Sequence, residues 1–155
     1  MCGTGLDCNQ RGSVQAVDIE LAGGVNVLVS DTMSNKSGGC SIDPEALMAL
    51  GPDVILLTAD GFYDRVERDG VWKRLRAVQN GAVYEIPSLP YGWMSNPPSV
   101  NQVLGIYWLG NLLYPELYDY DMTEKAQEFY RLLWHYELSA DEARALLARS
   151  TLKEG

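Results

Sequence analysis

The residues able to make or break bonds are few in this sequence and poorly grouped. One histidine, His135, and three cysteines, Cys2, Cys8 and Cys40, are spread over 155 residues. The cysteines show no C-x-x-C spacing, so neither a zinc knuckle nor a dithiol redox pair is indicated, and a multi-histidine metal site is excluded. Ser13 follows Gly12 but lacks the G-x-S-x-G frame of a nucleophile elbow, and one distant histidine gives thin support for a triad. Gly3-Thr4-Gly5 has neither the preceding strand nor the following Gly-Lys-Ser/Thr of a phosphate loop. Hydrolase and nucleotide-binding readings both fail. The expectation is a chain that is not an enzyme and holds no cofactor and no metal ion; a thiol-dependent enzyme using Cys8 or Cys40 is the remaining catalytic alternative.

Recognition chemistry is better represented. Residues 87–98, Pro-Ser-Leu-Pro-Tyr-Gly-Trp-Met-Ser-Asn-Pro-Pro, set Tyr91, Trp93 and Met94 in a proline-stiffened segment. Aromatic rings on a rigid loop give a large contact surface at little entropic cost, which suits a bulky flat ligand. The same three side chains could instead plug the edge of a sheet as core. Asp60, Phe62 and Asp64 follow another apolar run and could meet a ligand, although acidic residues there are also ordinary turn and capping residues. Trp72, Trp108 and Trp134 recur at helical spacing with apolar neighbours and read as core. His135 lies near a helix end, where a structural role is expected.

These loops need elements to position them. Residues 13–22 read as a helix stopped by Gly23-Gly24, residues 25–29 as a short extended piece, and residues 30–41 as a polar loop. Asp43-Pro44-Glu45 is a helix start. Residues 54–58, Val-Ile-Leu-Leu-Thr, form an apolar run of the kind covered on both faces in a parallel or mixed sheet. Short helices are expected from Tyr63 and over residues 72–78, and a second strand over residues 83–86. Capping-box spacings at Ser99/Gln102, Asp121/Glu124 and Ser139/Glu142 precede three further helices. The reading is one α/β lobe of three layers, with a small, mostly parallel sheet flanked by helices and a helical C-terminal third. Open sheets of this kind place ligands beyond the carboxyl ends of their strands, which singles out the loops after residues 58 and 86.

With 46% hydrophobic and 21% charged residues the chain can bury one ordinary core. A net charge of -9 repels phosphate backbones, so no nucleic-acid partner is expected. No apolar run reaches the roughly 18 residues of a membrane span, and the amino terminus has neither the basic start nor the apolar stretch of a signal peptide.

Three segments in series, SVQAVDIELAGGVNV (13–27), IDPEALMALGPDVILL (42–57) and GAVYEIPSLPYGWMSNPPSVNQVLGIYWLGNLL (81–113), resemble the C-terminal lobe of the solute-binding proteins that serve ABC importers of ferric siderophores, haem and cobalamin. The resemblance implies a two-lobed protein with ligand held between the lobes; residues 1–155 would be its C-terminal lobe, with the N-terminal lobe, linking helix and targeting signal absent. It implies an extracytoplasmic parent, a metal-chelate ligand and an ABC permease as partner. It also implies that aromatic residues of the loop holding Tyr91, Trp93 and Met94 touch the chelate, with Asp60 and Phe62 as second contacts. Where cobalamin-binding relatives carry a permease-docking glutamate, this sequence has Ser95 at the edge of the same wall. Metal oxyanions are an alternative ligand class. Another alternative is a lobe that has lost binding and self-associates through an incomplete sheet. The wall depends on an open Trp93; an indole enclosed by its own domain would remove its physical basis.

Overall fold

The apolar run at residues 54–58 is too short for a helix and apolar on alternate positions of both parities, so it must be covered on both faces. In the computed structural model, which describes residues 5–29, 39–94 and 97–151, it is. Ile55 and Leu57 pack with Leu47, Phe62, Val66, Trp72 and Leu75 in one cluster. Val54 and Leu56 lie against a second, larger cluster containing Ile86, Trp93, Leu104, Trp108 and Leu109. The sheet between the clusters gives the expected three layers.

In chain order the elements are β1 (Asp7–Asn9), α1 (Val17–Leu21), β2 (Gly39–Ser41), α2 (Pro44–Leu50), β3 (Ile55–Leu57), α3 (Arg76–Gln79), β4 (Val83–Glu85), α4 (Asn101–Leu113), α5 (Met122–Phe129) and α6 (Ala140–Leu147), with 3-10 turns at Tyr63–Arg65 and Trp72–Arg74. β3 and β4 pair in parallel, Ile55 opposite Val83 and Leu57 opposite Glu85. The connection between them carries the 3-10 turns and α3, as a parallel crossover requires. β1 and β2 form a separate antiparallel pair, with Cys8 opposite Cys40, in segments expected to be loops.

Local signals explain most boundaries. Asp43 Oδ1 accepts the Ala46 N–H at 2.6 Å to start α2, and Gly51, at φ 52°, ends it in the left-handed region. The first helix is shorter than expected because residues 10–16 take successive tight turns, with Ser13 N–H to Gln10 and Ala16 N–H to Ser13 carbonyls. Residues 25–29 form no regular element and are pinned by Asn26, whose Nδ2 donates to the Asn9 carbonyl at 3.0 Å. The capping box expected at Ser99 does not form: Ser99 Oγ accepts the Asn101 N–H at 3.2 Å, but Gln102 donates to the Val14 carbonyl instead. Asp121 caps α5 through the Thr123 N–H, while the reciprocal box of Ser139 and Glu142 is complete at α6. The helix expected through residue 136 changes to a π turn at Tyr130–Trp134 and stops at His135, φ 51°. His135 is thus a C-cap, the structural role expected of it. Among the described residues no helix is long and apolar enough to cross a membrane.

Candidate functional site

The loop from residue 87 onward leaves the carboxyl end of β4 and returns to α4, and its orientation differs from the open wall expected. Trp93 is 0% exposed and Met94 3%, both inside the larger cluster. The cause is the close approach of α4 at Gly105, where a Cβ would overlap the Trp93 carbonyl oxygen. With no side chain there, the loop backbone lies directly on the helix and the indole turns inward beside Leu104 and Trp108. The Trp93 N–H closes the loop on the Pro87 carbonyl at 2.9 Å. Trp93 and Met94 are therefore the anchor of the loop and not the open wall expected.

What the anchor presents is Tyr91, 44% exposed, next to the exposed Leu89. Their backbones are held from below. Asn101, fully buried at the first turn of α4, donates through Nδ2 to the Tyr91 carbonyl at 2.8 Å and accepts through Oδ1 from Trp134 Nε1 at 3.0 Å. The Trp134 ring lies 5.8 Å from that of Tyr91. The Tyr130 hydroxyl donates to the Leu89 carbonyl, and burial raises its pKa above the usual phenol range, so it remains a donor. Sequence reasoning missed Asn101 and Tyr130, since each acts across 10 or more residues on a backbone carbonyl.

The same first turn reaches the 10–18 segment, because Gln102 Nε2 donates to the Val14 carbonyl at 3.2 Å. Val14, Val100 and Val103 are exposed there and continue the apolar rim begun by Leu89 and Tyr91. Behind the rim, the carboxyl of Asp18 is buried, and desolvation, opposed by a hydrogen bond from Gln102, raises its pKa to about 7.

In the loop after β3, Phe62 is 1% exposed and packs edge-on against Trp72 with centroids 5.1 Å apart, so its ring is part of the core and not of an open surface. Asp60 is exposed, and its Oδ1 accepts the Phe62 N–H at 2.9 Å, the bond of a local turn. Phe62 belongs to one cluster and Trp93 and Met94 to the other, while Asp60, Phe62 and Met94 border one groove. Ser95 lies outside the described residues. Trp72 and Trp108 are core as expected, while Trp134 is only partly covered. Among the described residues, no group of three or more His, Cys, Asp or Glu side chains is placed to hold a metal ion.

A family profile described as periplasmic binding protein matches residues 15–90. Among curated proteins, the high-affinity heme uptake system protein IsdE of Staphylococcus aureus is 28% identical over 98 residues, covering 57% of this chain and 32% of its own length. Among solved structures, an ABC transporter solute binding protein from Sulfurospirillum deleyianum superposes with a TM-score of 0.82 at 33% identity, over 92% of this chain and 44% of its own. A periplasmic solute binding protein from Veillonella parvula gives 0.79 at 27% identity, over 94% and 45%. The chain thus spans less than half the length of either solved relative and about a third of the curated one.

Proposed function

Because the chain belongs to the periplasmic binding proteins, whose members bind solutes for transport and are not enzymes, we propose that it is the C-terminal lobe of the substrate-binding component of an ABC importer for a metal chelate. The observation that carries the ligand reading is the held loop that presents Tyr91 and Leu89 on an anchor of Trp93, Asn101 and Tyr130. A ring fixed in place at both its backbone and its flank suits the flat or bulky organic surface of a ferric siderophore, haem or corrinoid. In this reading Tyr91 is the ligand contact, Asp60 and Ser95 are secondary candidates, the partner is a permease, and the parent protein works outside the cytoplasm.

Calorimetric titration of the chain with a ferric siderophore, haem, cobinamide and molybdate tests it. Binding of an organic chelate that Tyr91→Ala weakens is the expected result. Heat with molybdate alone would move the assignment to oxyanions, and no response from the chain or its full-length parent to any of the four would sink the solute-binding role.

A second reading, self-association through incomplete sheet structure, is favoured by Val25, Val27 and Val29, which are exposed on a segment that belongs to no strand among the described residues. Light scattering across a wide concentration range tests that reading, and a constant monomer mass would end it.

A further inference from the structure

The antiparallel pair of β1 and β2 is short and stands apart from the parallel sheet. Each strand has three residues, and the chain leaves the pair at Asn9 and returns to it only at Gly39. A two-stranded ribbon of this length is marginal in water, and bringing together residues so far apart in sequence costs entropy. The middle rung of the ribbon sets Cys8 opposite Cys40.

The ladder fixes the spacing of that rung. The Ile42 N–H donates to the Leu6 carbonyl at 3.0 Å, one step beyond the rung of Asp7 and Ser41. Hydrogen-bonded and non-hydrogen-bonded rungs alternate in an antiparallel pair, so the Asp7 and Ser41 rung is non-hydrogen-bonded and the cysteine rung is hydrogen-bonded. Directly opposed residues share one face of the ribbon, and in a hydrogen-bonded rung their Cα atoms lie about 5.5 Å apart. Disulfides join residues whose Cα atoms are about 4.4–6.8 Å apart, most often about 5.5–6 Å. The backbone therefore need not move for these two residues to be joined. Cys8 can also be reached from solvent: it is half-buried, and its thiol rests on the Leu6 carbonyl at 3.5 Å and the Gly5 carbonyl at 3.9 Å. Both are long contacts from a weak donor, which rotation about χ1 gives up at little cost.

We propose that Cys8 and Cys40 are an oxidation site that closes to an intramolecular disulfide. The oxidant is a disulfide, either a small molecule or an oxidised dithiol enzyme. The Cys8 thiolate attacks one of its sulfurs and the other leaves as a thiol; the Cys40 thiolate then attacks Cys8 Sγ in the mixed disulfide and expels the first. The cysteines lose two protons and two electrons, which the donor takes up in becoming two thiols. Bonds of this kind persist outside the cytoplasm, the compartment of the transport reading, and the pairing takes nothing else from that reading. A donor supplied in solution tests it whatever solute the protein carries. The ring so closed runs from residue 8 to residue 40 and includes Val14 of the rim and Asp18 behind it. Its main effect is on the unfolded chain, which loses freedom over that whole stretch.

The chain is incubated with oxidised and reduced glutathione, alkylated without reduction and cleaved before aspartate, which leaves the three cysteines in separate fragments, residues 1–6, 7–17 and 31–42. Mass spectrometry is expected to find fragments 7–17 and 31–42 joined, two hydrogens lighter than their sum, and dithiothreitol to separate them. The oxidised chain is expected to melt about 5–10 °C above the reduced one. Cys8→Ser and Cys40→Ser each abolish that difference, and Cys2→Ser keeps it. Should a variant not fold, the oxidised and reduced forms of the unsubstituted chain decide alone. Three separately alkylated fragments under oxidising conditions would overturn the pairing, as would fragment 1–6 joined to either of the others in its place. So would a linkage between two chains, seen as a dimer on a non-reducing gel, or joined fragments with no rise in Tm, which would mean that the bond does not fit the folded ribbon.

Discussion

Tyr91 and Trp93 are two positions apart and have opposite duties, which single substitutions separate. Trp93→Ala empties the most enclosed position of the loop and is expected to cost about 3–5 kcal/mol, read as a lower denaturant midpoint. Tyr91→Ala removes a half-exposed ring and is expected to change stability by about 0.5 kcal/mol or less while weakening chelate binding about tenfold or more. If both variants lose stability alike, the loop has no presenting side. The chemistry of this loop was legible in the sequence, since an aromatic pair between prolines marks it; which ring faces out was not. Composition treats a plug and a wall alike, and the deciding residue, Gly105, lies 12 positions away in a helix where its absent Cβ is the signal. Asp18 was not legible either, as nothing in Val-Asp-Ile-Glu says that this carboxyl is covered. Its folded pKa, about 7, stands above the ordinary 3.8, so the folded state holds the proton more tightly than the unfolded one. The associated stability is complete below about pH 4 and is lost as pH rises through 7, by an amount up to about 4 kcal/mol. Chemical denaturation from pH 4 to pH 8 should therefore show falling stability that Asp18→Asn flattens; a slope unchanged by the substitution would place the titration elsewhere.

At the level of elements, β3, β4 and the start of α2 followed from simple patterns. A continuous apolar run between Gly51-Pro52 and the Thr58 turn has few ways to be buried except as β3, and Asp43 before Pro44 fixes the start of α2. Elements defined by distant partners did not follow. The β1 and β2 pair joins segments some 30 residues apart, and the Gln102 side chain, instead of accepting the Ser99 N–H in a capping box, donates to the Val14 carbonyl. The π turn at Tyr130–Trp134 also lacks a sequence signal, yet it brings Tyr130 under Leu89 and Trp134 beside Tyr91. The rim loop is thus clamped between two helices, and its weakest tolerance is at their closest approach. Gly105→Ala should push the loop off α4, with destabilisation of about 1–3 kcal/mol or more, and should raise the solvent quenching of Trp93 fluorescence. An alanine accepted at Gly105 without loss of stability would show that the loop is not seated on the helix.

At the scale of the whole molecule, apolar side chains fall into two populations with different demands. Those of the two clusters are enclosed by the chain itself. Leu89, Val100 and Val103 are exposed around the first turn of α4, beside Tyr91 and Val14, on a chain that carries a net charge of -9. Exposed apolar residues gathered at one helix turn are suited to a surface that meets something else. The Asn101 and Gln102 hydrogen bonds hold it in one shape before any partner arrives, which reduces the ordering cost of binding. Replacing Leu89, Val100 and Val103 together by serine separates the alternatives, because residues kept for the chain's own fold would be missed by the fold. The expected outcome is a Tm within a few degrees of the parent, higher solubility and weakened chelate binding. A Tm that collapses would show that the rim is part of the core, and chelate binding that survives intact would move the ligand surface away from this end of the sheet.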